Sequence, residues 1–373
     1  MNLENNTNPV PTDYQIKDQI DDTISQLKFY PDQYKTPILA SGGWDGKVRV
    51  WNVAYQTNIN QNQNNTEIMS QLNFNTQFND PILSMCWRTG NPGIITGCCD
   101  GTIHLVDLGT SQTTQIGKHE SGAQGLHYIS ENNANLLISG GWDSKLHFWD
   151  FRQSNPCFSY NLPKKVVSMS CTFPLMVVGM SDRVVNYFNL NKLGQNFQPD
   201  ITFESHLKYA TTVVTCFNEP NGYAIGSIEG RTAIKHIDLN KIPTLDNNKT
   251  LSRQDDFAFR CHRAGTDQKS QNEVYPVNAI AFNPIYGTFC TGGGDGTWLI
   301  WDKESKTKLR PGTIVNKSPI TALEYSYDGN LLAYANGYDW HKGYSFENST
   351  KPELRIHYLP DSEKKKKPRV LGK

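Results

Sequence analysis

Two spacings of apolar residues recur along the chain. The first is strict alternation. Val48 and Val50 alternate with Lys47, Arg49 and Trp51, and Leu146 and Phe148 alternate with Lys145, His147 and Trp149. A period of two places one set of side chains on one face of a pleated strand. The second spacing is apolar, two residues, apolar, one residue, apolar. It reads Ile24-Leu27-Phe29, Ile82-Met85-Trp87, Ala123-Leu126-Tyr128, Val166-Met169-Cys171, Val277-Ile280-Phe282 and Ile320-Leu323-Tyr325, and "TVVTCFNEPNG" follows it loosely. Turn-forming stretches such as "RTGNPG", "NEPNG" and "YDGN" come after most copies. The periodicity argues for short strands, not helices.

Each copy is followed by a second phrase. "SGGWDGKVRVWNV" starts at residue 41 and "SGGWDSKLHFWDF" at 139. "TGCCDGTIHLVD" starts at 96, "VGMSDRVVNYFN" at 178, "IGSIEGRTAIKH" at 225, "TGGGDGTWLIWD" at 291 and the degenerate "ANGYDWHKG" at 335. An acidic residue holds the fifth position throughout: Asp45, Asp100, Asp143, Asp182, Glu229, Asp295 and Asp339. A carboxylate in a strand-to-strand turn accepts backbone N–H bonds, so these acids are expected to be structural. A repeat of roughly 40 residues made of short strands and Gly/Asp turns is the signature of a WD-repeat propeller blade. Seven such blades in a ring bury one another's faces. The expected fold is therefore all-β, a single-domain seven-bladed WD-repeat β-propeller over residues 13–360. Residues 1–12 are expected to form a disordered stub and 361–373 a basic tail. "ELRIHYLP" (353–360) supplies the third strand of the last blade, and "DYQIKDQ" (13–19) is the candidate fourth strand that closes the ring.

Candidate chemistry is sparse. His119, Ser139, Asp143 and Trp149 have the order of the hydrogen-bonded tetrad of WD repeats. A Ser/His/Asp triad would be the catalytic alternative, but partial copies recur in several blades and a catalytic triad needs only one. No catalytic residue, cofactor, metal site or small-molecule substrate is expected. The eight cysteines include no C-x-x-C pair and are read as reduced thiols. Lysine plus arginine equals aspartate plus glutamate at 36 each, so no global field draws the protein to nucleic acid. RNA contact is expected only at local basic patches, such as "EKKKKPRVLGK" (363–373), which also fits a solvated terminus or an import signal. No apolar run suits a membrane span, and the N-terminal stretch does not read as a secretory leader. "QTNINQNQNNTE" (56–67) is expected to be a disordered, functionless Asn/Gln loop.

At "GSIEGR" (226–231), "FAFRCHRAGT" (257–266), "VNAIAFNPIYGTFCTGGGDG" (277–296), "WDKESKTKL" (301–309) and "YDWHKG" (338–343) the pattern becomes more specific. Over roughly residues 20–360 the chain resembles the nuclear-pore mRNA-export propellers of the RNA-export or Gle-two type, sisters of the Bub-three mitotic-checkpoint propellers. The resemblance implies a non-enzymatic adaptor of the nucleus and nuclear pore, with a cytoplasmic shuttling pool and roles at the mitotic spindle. It implies a monomeric propeller in a hetero-complex, gripping the GLEBS segment of an FG nucleoporin. By motif, the partner-binding surface would draw on Arg231, Phe259, Arg260, His262, Trp301, Asp302, Lys303, Lys306 and Lys308. Lys306 stands where relatives often carry arginine, which removes a bidentate fork. Arg231, Arg260, Arg263, Lys303, Lys306, Lys308 and Arg310 also cluster, by residue type alone, in blades five and six, beside Phe259 and Trp301. Two other readings of the chain are a checkpoint propeller that binds kinase GLEBS segments and a cullin-ligase substrate receptor docking through "WDFR" (149–152).

Overall fold

The computed structural model describes residues 13–31, 36–60, 63–90, 93–130, 135–194, 197–239, 255–264, 273–311, 318–343 and 350–366. Seven four-stranded antiparallel sheets follow one another along the chain. They cover residues 24–77, 82–118, 123–161, 166–204, 211–260, 277–311 and 320–358, the last completed by Tyr14–Gln15. Innermost strands of successive blades touch around the ring, and Ile320–Tyr325 of blade seven meets Ile24–Phe29 of blade one. The chain is thus a seven-bladed propeller.

The uneven apolar spacing has a structural cause. In every blade the innermost strand carries a register shift near its start, between Ile24 and Gln26 in blade one and between Ile320 and Ala322 in blade seven. The extra residue of a bulge changes the parity of the strand. Ile24, Leu27 and Phe29 therefore face the core together, although three residues separate the first two. The glycines of the repeated phrase answer this bulge. A Cβ on Gly42 would lie 2.7 Å from Ile82 Cγ2 of the next blade, and one on Gly292 would lie 2.6 Å from Ile320 Cγ2. At these junctions the leading apolar residue of the following blade occupies the space a side chain would need.

Buried polar groups tie the blades together. His119 follows the outermost strand of blade two. Its Nδ1 lies 2.9 Å from Asp143 Oδ2 in the turn between the second and third strands of blade three, and its Nε2 lies 2.7 Å from Ser139 Oγ. Trp149 Nε1 donates to the same Ser139 oxygen at 2.8 Å. Burial alone would raise the Asp143 carboxyl, but the His119 bond and charge outweigh it and hold it below the ordinary carboxylate range. Blade six repeats the set: His262 Nδ1 is 2.9 Å from Asp295 Oδ1, His262 Nε2 is 3.0 Å from Thr291 Oγ1, and Trp301 Nε1 donates to Thr291 Oγ1 at 3.0 Å. Asp45, Asp100, Asp143 and Asp295 each accept the N–H two residues ahead. The remaining acids differ. Asp182 adopts a left-handed conformation (φ 58°) and pairs with Lys164, Glu229 faces Arg231, and Asp339 accepts from Asn278 Nδ2 at 3.2 Å.

Both ends of the described chain meet at blade seven. Tyr14 and Gln15 pair with Ile356 and Arg355, so two residues of the expected 13–19 segment form strand. The following residues work through side chains: Ile16 and Ile20 are buried, and Asp18 accepts from Trp51 Nε1 at 2.7 Å. Asp13 accepts from Tyr334 Oη at 2.5 Å, and its other oxygen lies 2.7 Å from His357 Nδ1. His357 Nε2 is 3.0 Å from Glu363 Oε2, and Arg310 also bonds that carboxylate. Burial opposes a charge on His357, but the carboxylates of Asp13 and Glu363 prevail and raise its pKa above 6.5.

Two expectations need correction. Residues 56–60 and 63–67 are not irregular. Strands Lys47–Asn60 and Gln63–Gln77 pair continuously out to Asn60 opposite Gln63, because a polar hairpin still satisfies its own backbone ladder. The expected tail is also docked at its start. Residues 361–366 form a helical turn and its exit against blades six and seven; Lys364 is buried, its Nζ donating to Asn330 Oδ1 at 2.5 Å and its carbonyl accepting from Thr288 Oγ1 at 2.9 Å. The stub 1–12 and the tail beyond 366 lie outside the described residues.

Three outcomes test this architecture. Deleting residues 1–20 removes buried Ile16 and Ile20 and uncovers the edge of Glu353–Tyr358, and should cost at least ~3 kcal/mol in urea unfolding. A truncated chain that unfolds like the full one would show the closure to be dispensable. Asp143→Ala leaves His119 and two backbone donors without their acceptor and should cost about 1–3 kcal/mol, read as a lower melting temperature. His357→Gln should cost most at pH values below 6.5, where both folded and unfolded imidazoles are charged. The wild-type advantage should shrink as pH rises through the raised folded pKa, since the unfolded state has then already lost its proton. A pH-independent difference in urea midpoint would contradict the charged clamp.

Candidate functional site

The outermost strand of blade five, Phe257–Arg260, faces the third strand of blade six, Trp298–Asp302. Alternation along "FAFR" sets Phe257 and Phe259 on one side and Ala258 and Arg260 on the other. Ala258 and Arg260 are exposed, whereas the two phenylalanines are half-buried. Phe259 packs on Trp301 with ring centroids 4.5 Å apart and lies 6.2 Å from Phe289. Trp301 keeps its N–H in the blade-six tetrad, so its half-exposed ring is what remains for other contacts.

Cationic groups border this aromatic seam at both ends. Arg231 pairs with Arg260 in register, at the rim that carries Glu229; its Nε is 3.5 Å from Glu229 Oε2. At the opposite rim, the turn after Asp302 carries Lys303 and Lys306. Lys303 Nζ sits 4.9 Å over the Phe217 ring and Lys306 Nζ 5.1 Å over Phe257. Both contacts have cation–π geometry. Exposed Lys308 lies opposite Trp301 in the adjacent strand, between the two rims. The residues singled out in the sequence therefore form a strip along the outer wall of blades five and six. From Phe257 to Arg260 that strip runs about 10 Å along the strand.

Two of them do not reach its surface. His262 is fully enclosed, held by Asp295 and Thr291. Asp302 is buried; its two carboxylate oxygens accept from Glu304 N at 3.0 Å and Ser305 Oγ at 2.7 Å, which shapes the turn. Both motif positions are structural in this chain, and they act by fixing neighbours that are exposed. Phe257 and Glu304 belong to the strip but escape motif reading, and Phe217 lies buried beneath Lys303. For Phe257 the signal was the two-residue spacing from Phe259; nothing local marks Phe217, which comes from another strand.

A different cluster has metal-ligand chemistry. The ligand atoms of His119, Asp143 and His147 lie within 4.8 Å of one another. His119 is bonded at both ring nitrogens and Asp143 at both oxygens, and His147 Nδ1 is 2.7 Å from Ser159 Oγ. This donor set is consumed by internal bonds, as scaffolding requires.

The pattern described as "WD domain, G-beta repeat" matches residues 15–52, 70–107, 111–150 and 268–302. "Protein Rae1" of Drosophila melanogaster is 32% identical over 94% of this chain and 95% of its own length. "Poly(A)+ RNA export protein" of Schizosaccharomyces pombe is 33% identical over 98% of this chain and 96% of its own. "mRNA export factor GLE2" of Chaetomium thermophilum is 31% identical over 96% and 93%. With seven blades and this similarity along nearly its whole length, the chain belongs to the Rae1/Gle2 family of WD-repeat mRNA export factors.

Proposed function

We propose that this chain is a non-enzymatic adaptor at the nuclear pore that binds the GLEBS segment of an FG nucleoporin and supports export of mRNA. The names of its relatives support the export role. The observation that favours a peptide partner is the Phe259–Trp301 seam with cations at both rims. An extended segment carrying glutamates would set its acids against Arg260, Lys306 and Lys308 and its apolar side chains on the half-exposed Trp301 ring. Arg231 already faces Glu229, so it contributes by orienting that rim as well as by its own charge. The protein is expected at the nuclear pore, with a shuttling cytoplasmic pool, and RNA is expected to meet the same kind of local basic patch.

Arg260 and Lys308 are the residues to reverse, because both side chains are exposed. Arg260→Glu with Lys308→Glu should weaken capture of a GLEBS peptide by ~30-fold or more, which is about 2 kcal/mol, the lower end for losing one desolvated charge pair. The melting curve should stay that of the wild type. Undiminished affinity in the folded double variant would place the peptide elsewhere.

A further inference from the structure

The lysine-rich strip contains an acid that works against it. In the turn between Trp298–Asp302 and Thr307–Pro311, Asp302 is buried and internally bonded, but Glu304 is exposed among Lys303, Lys306 and Lys308. An acidic partner approaching this turn meets a like charge. Lys303 Nζ lies 3.9 Å from Glu304 Oε1, and the structure supplies a closer, remote counter-charge: Lys366 Nζ bonds the same oxygen. That lysine is held in place. Glu363, three residues before it, bonds Arg310 and His357. Lys364 is buried with both its amine and its carbonyl bonded. The Lys366 stem passes over Gly287, with Cε 3.8 Å from where a Cβ would stand. The hydrogen bond from Lys366 is the main influence holding the Glu304 carboxyl below its ordinary range.

We infer that Lys366 is a positioning residue of the partner-binding surface: docked by the C-terminal turn, it neutralises Glu304 and so lets the Lys303–Lys308 turn receive an acidic peptide. The inference rests on the proposed peptide-binding role of that turn. The pair itself is exposed and adds little to stability, as surface ion pairs do. Its value lies in the field at the turn, where one uncompensated charge within a Debye length changes the affinity of an anionic ligand severalfold.

A double-mutant cycle in the full-length protein tests this, with two probes: the GLEBS peptide and an octaglutamate peptide. Lys366→Ala should weaken both about three- to fivefold at low salt and have little effect at high salt. In a Glu304→Gln background, Lys366→Ala should cost clearly less, because only the lysine's own field is lost and no carboxylate is released among the lysines of the turn. Deleting only residues 367–373 should leave the cycle unchanged. Equal losses in both backgrounds would mean that Lys366 acts by its own charge or contact and not through Glu304, and no loss in either would mean that Glu304 does not oppose binding; both overturn the inference. If octaglutamate shows the coupling and the GLEBS peptide does not bind, the electrostatic role stands and the proposed partner falls. If neither probe binds the wild type, both readings fall.

Discussion

The ring depends on a close approach between neighbouring blades. The leading apolar residue of one blade, such as Ile82 or Ile320, sits where a side chain on Gly42 or Gly292 of the blade before would have to be. That approach needs two things at once. The acceptor must lack a Cβ, and the incoming strand must turn its first apolar residue to the same side as the next ones. The bulge at the start of each innermost strand supplies the second condition. Packing at this spacing removes the gaps that would otherwise open between wedge-shaped sheets, and dry, close-packed contacts are where apolar burial is strongest.

Hydrogen-bonded histidines then connect blades that the glycines have brought together. His119 joins the outer edge of blade two to the turn of blade three, and His262 does the same for blades five and six. Blade one has no such histidine: Arg49 bonds Asp45 at 2.7 Å, and Trp51 turns to Asp18 from the N-terminal segment. The same segment that completes blade seven therefore also satisfies blade one. In this way structural duties reach into the candidate site. Trp301 anchors a tetrad by its N–H and lends only its ring to the strip, and Asp302 shapes the turn that presents Lys303 and Lys306.

The seven blades were legible in the sequence because one physical arrangement, repeated, leaves the same residue types at the same offsets. The spacing of Ile24, Leu27 and Phe29 makes sense only with a bulge, yet its recurrence was enough to mark the innermost strands. His262 shows where this reading stops. "FAFRCHR" carries a family surface by resemblance, but its histidine is consumed by a contact to Asp295, a residue of the next blade. Phe217, and the acid that Lys366 of the basic run meets, escaped for a related reason: each contact joins distant parts of the chain, and only the packing of neighbouring blades sets these residues beside Lys303 and Glu304. The long hairpin of blade one was misread because polar composition resembles disorder, while a ladder of backbone bonds needs no apolar face.

The meeting of both ends of the described chain at blade seven has a mechanical side. In a ring whose other six blades are each drawn from one continuous stretch, a load applied through the two ends acts first on one sheet. The N-terminal strand is held on that sheet by two paired residues and the side chain of Asp13, and on blade one by the side chains of Tyr14 and Asp18. The C-terminal turn is held by Glu363 and Lys364 on the same blade and its neighbour. Tension would thus peel a short seam while the remaining blades keep their internal strand order, so that the propeller opens like a clasp and not like a string of separate beads.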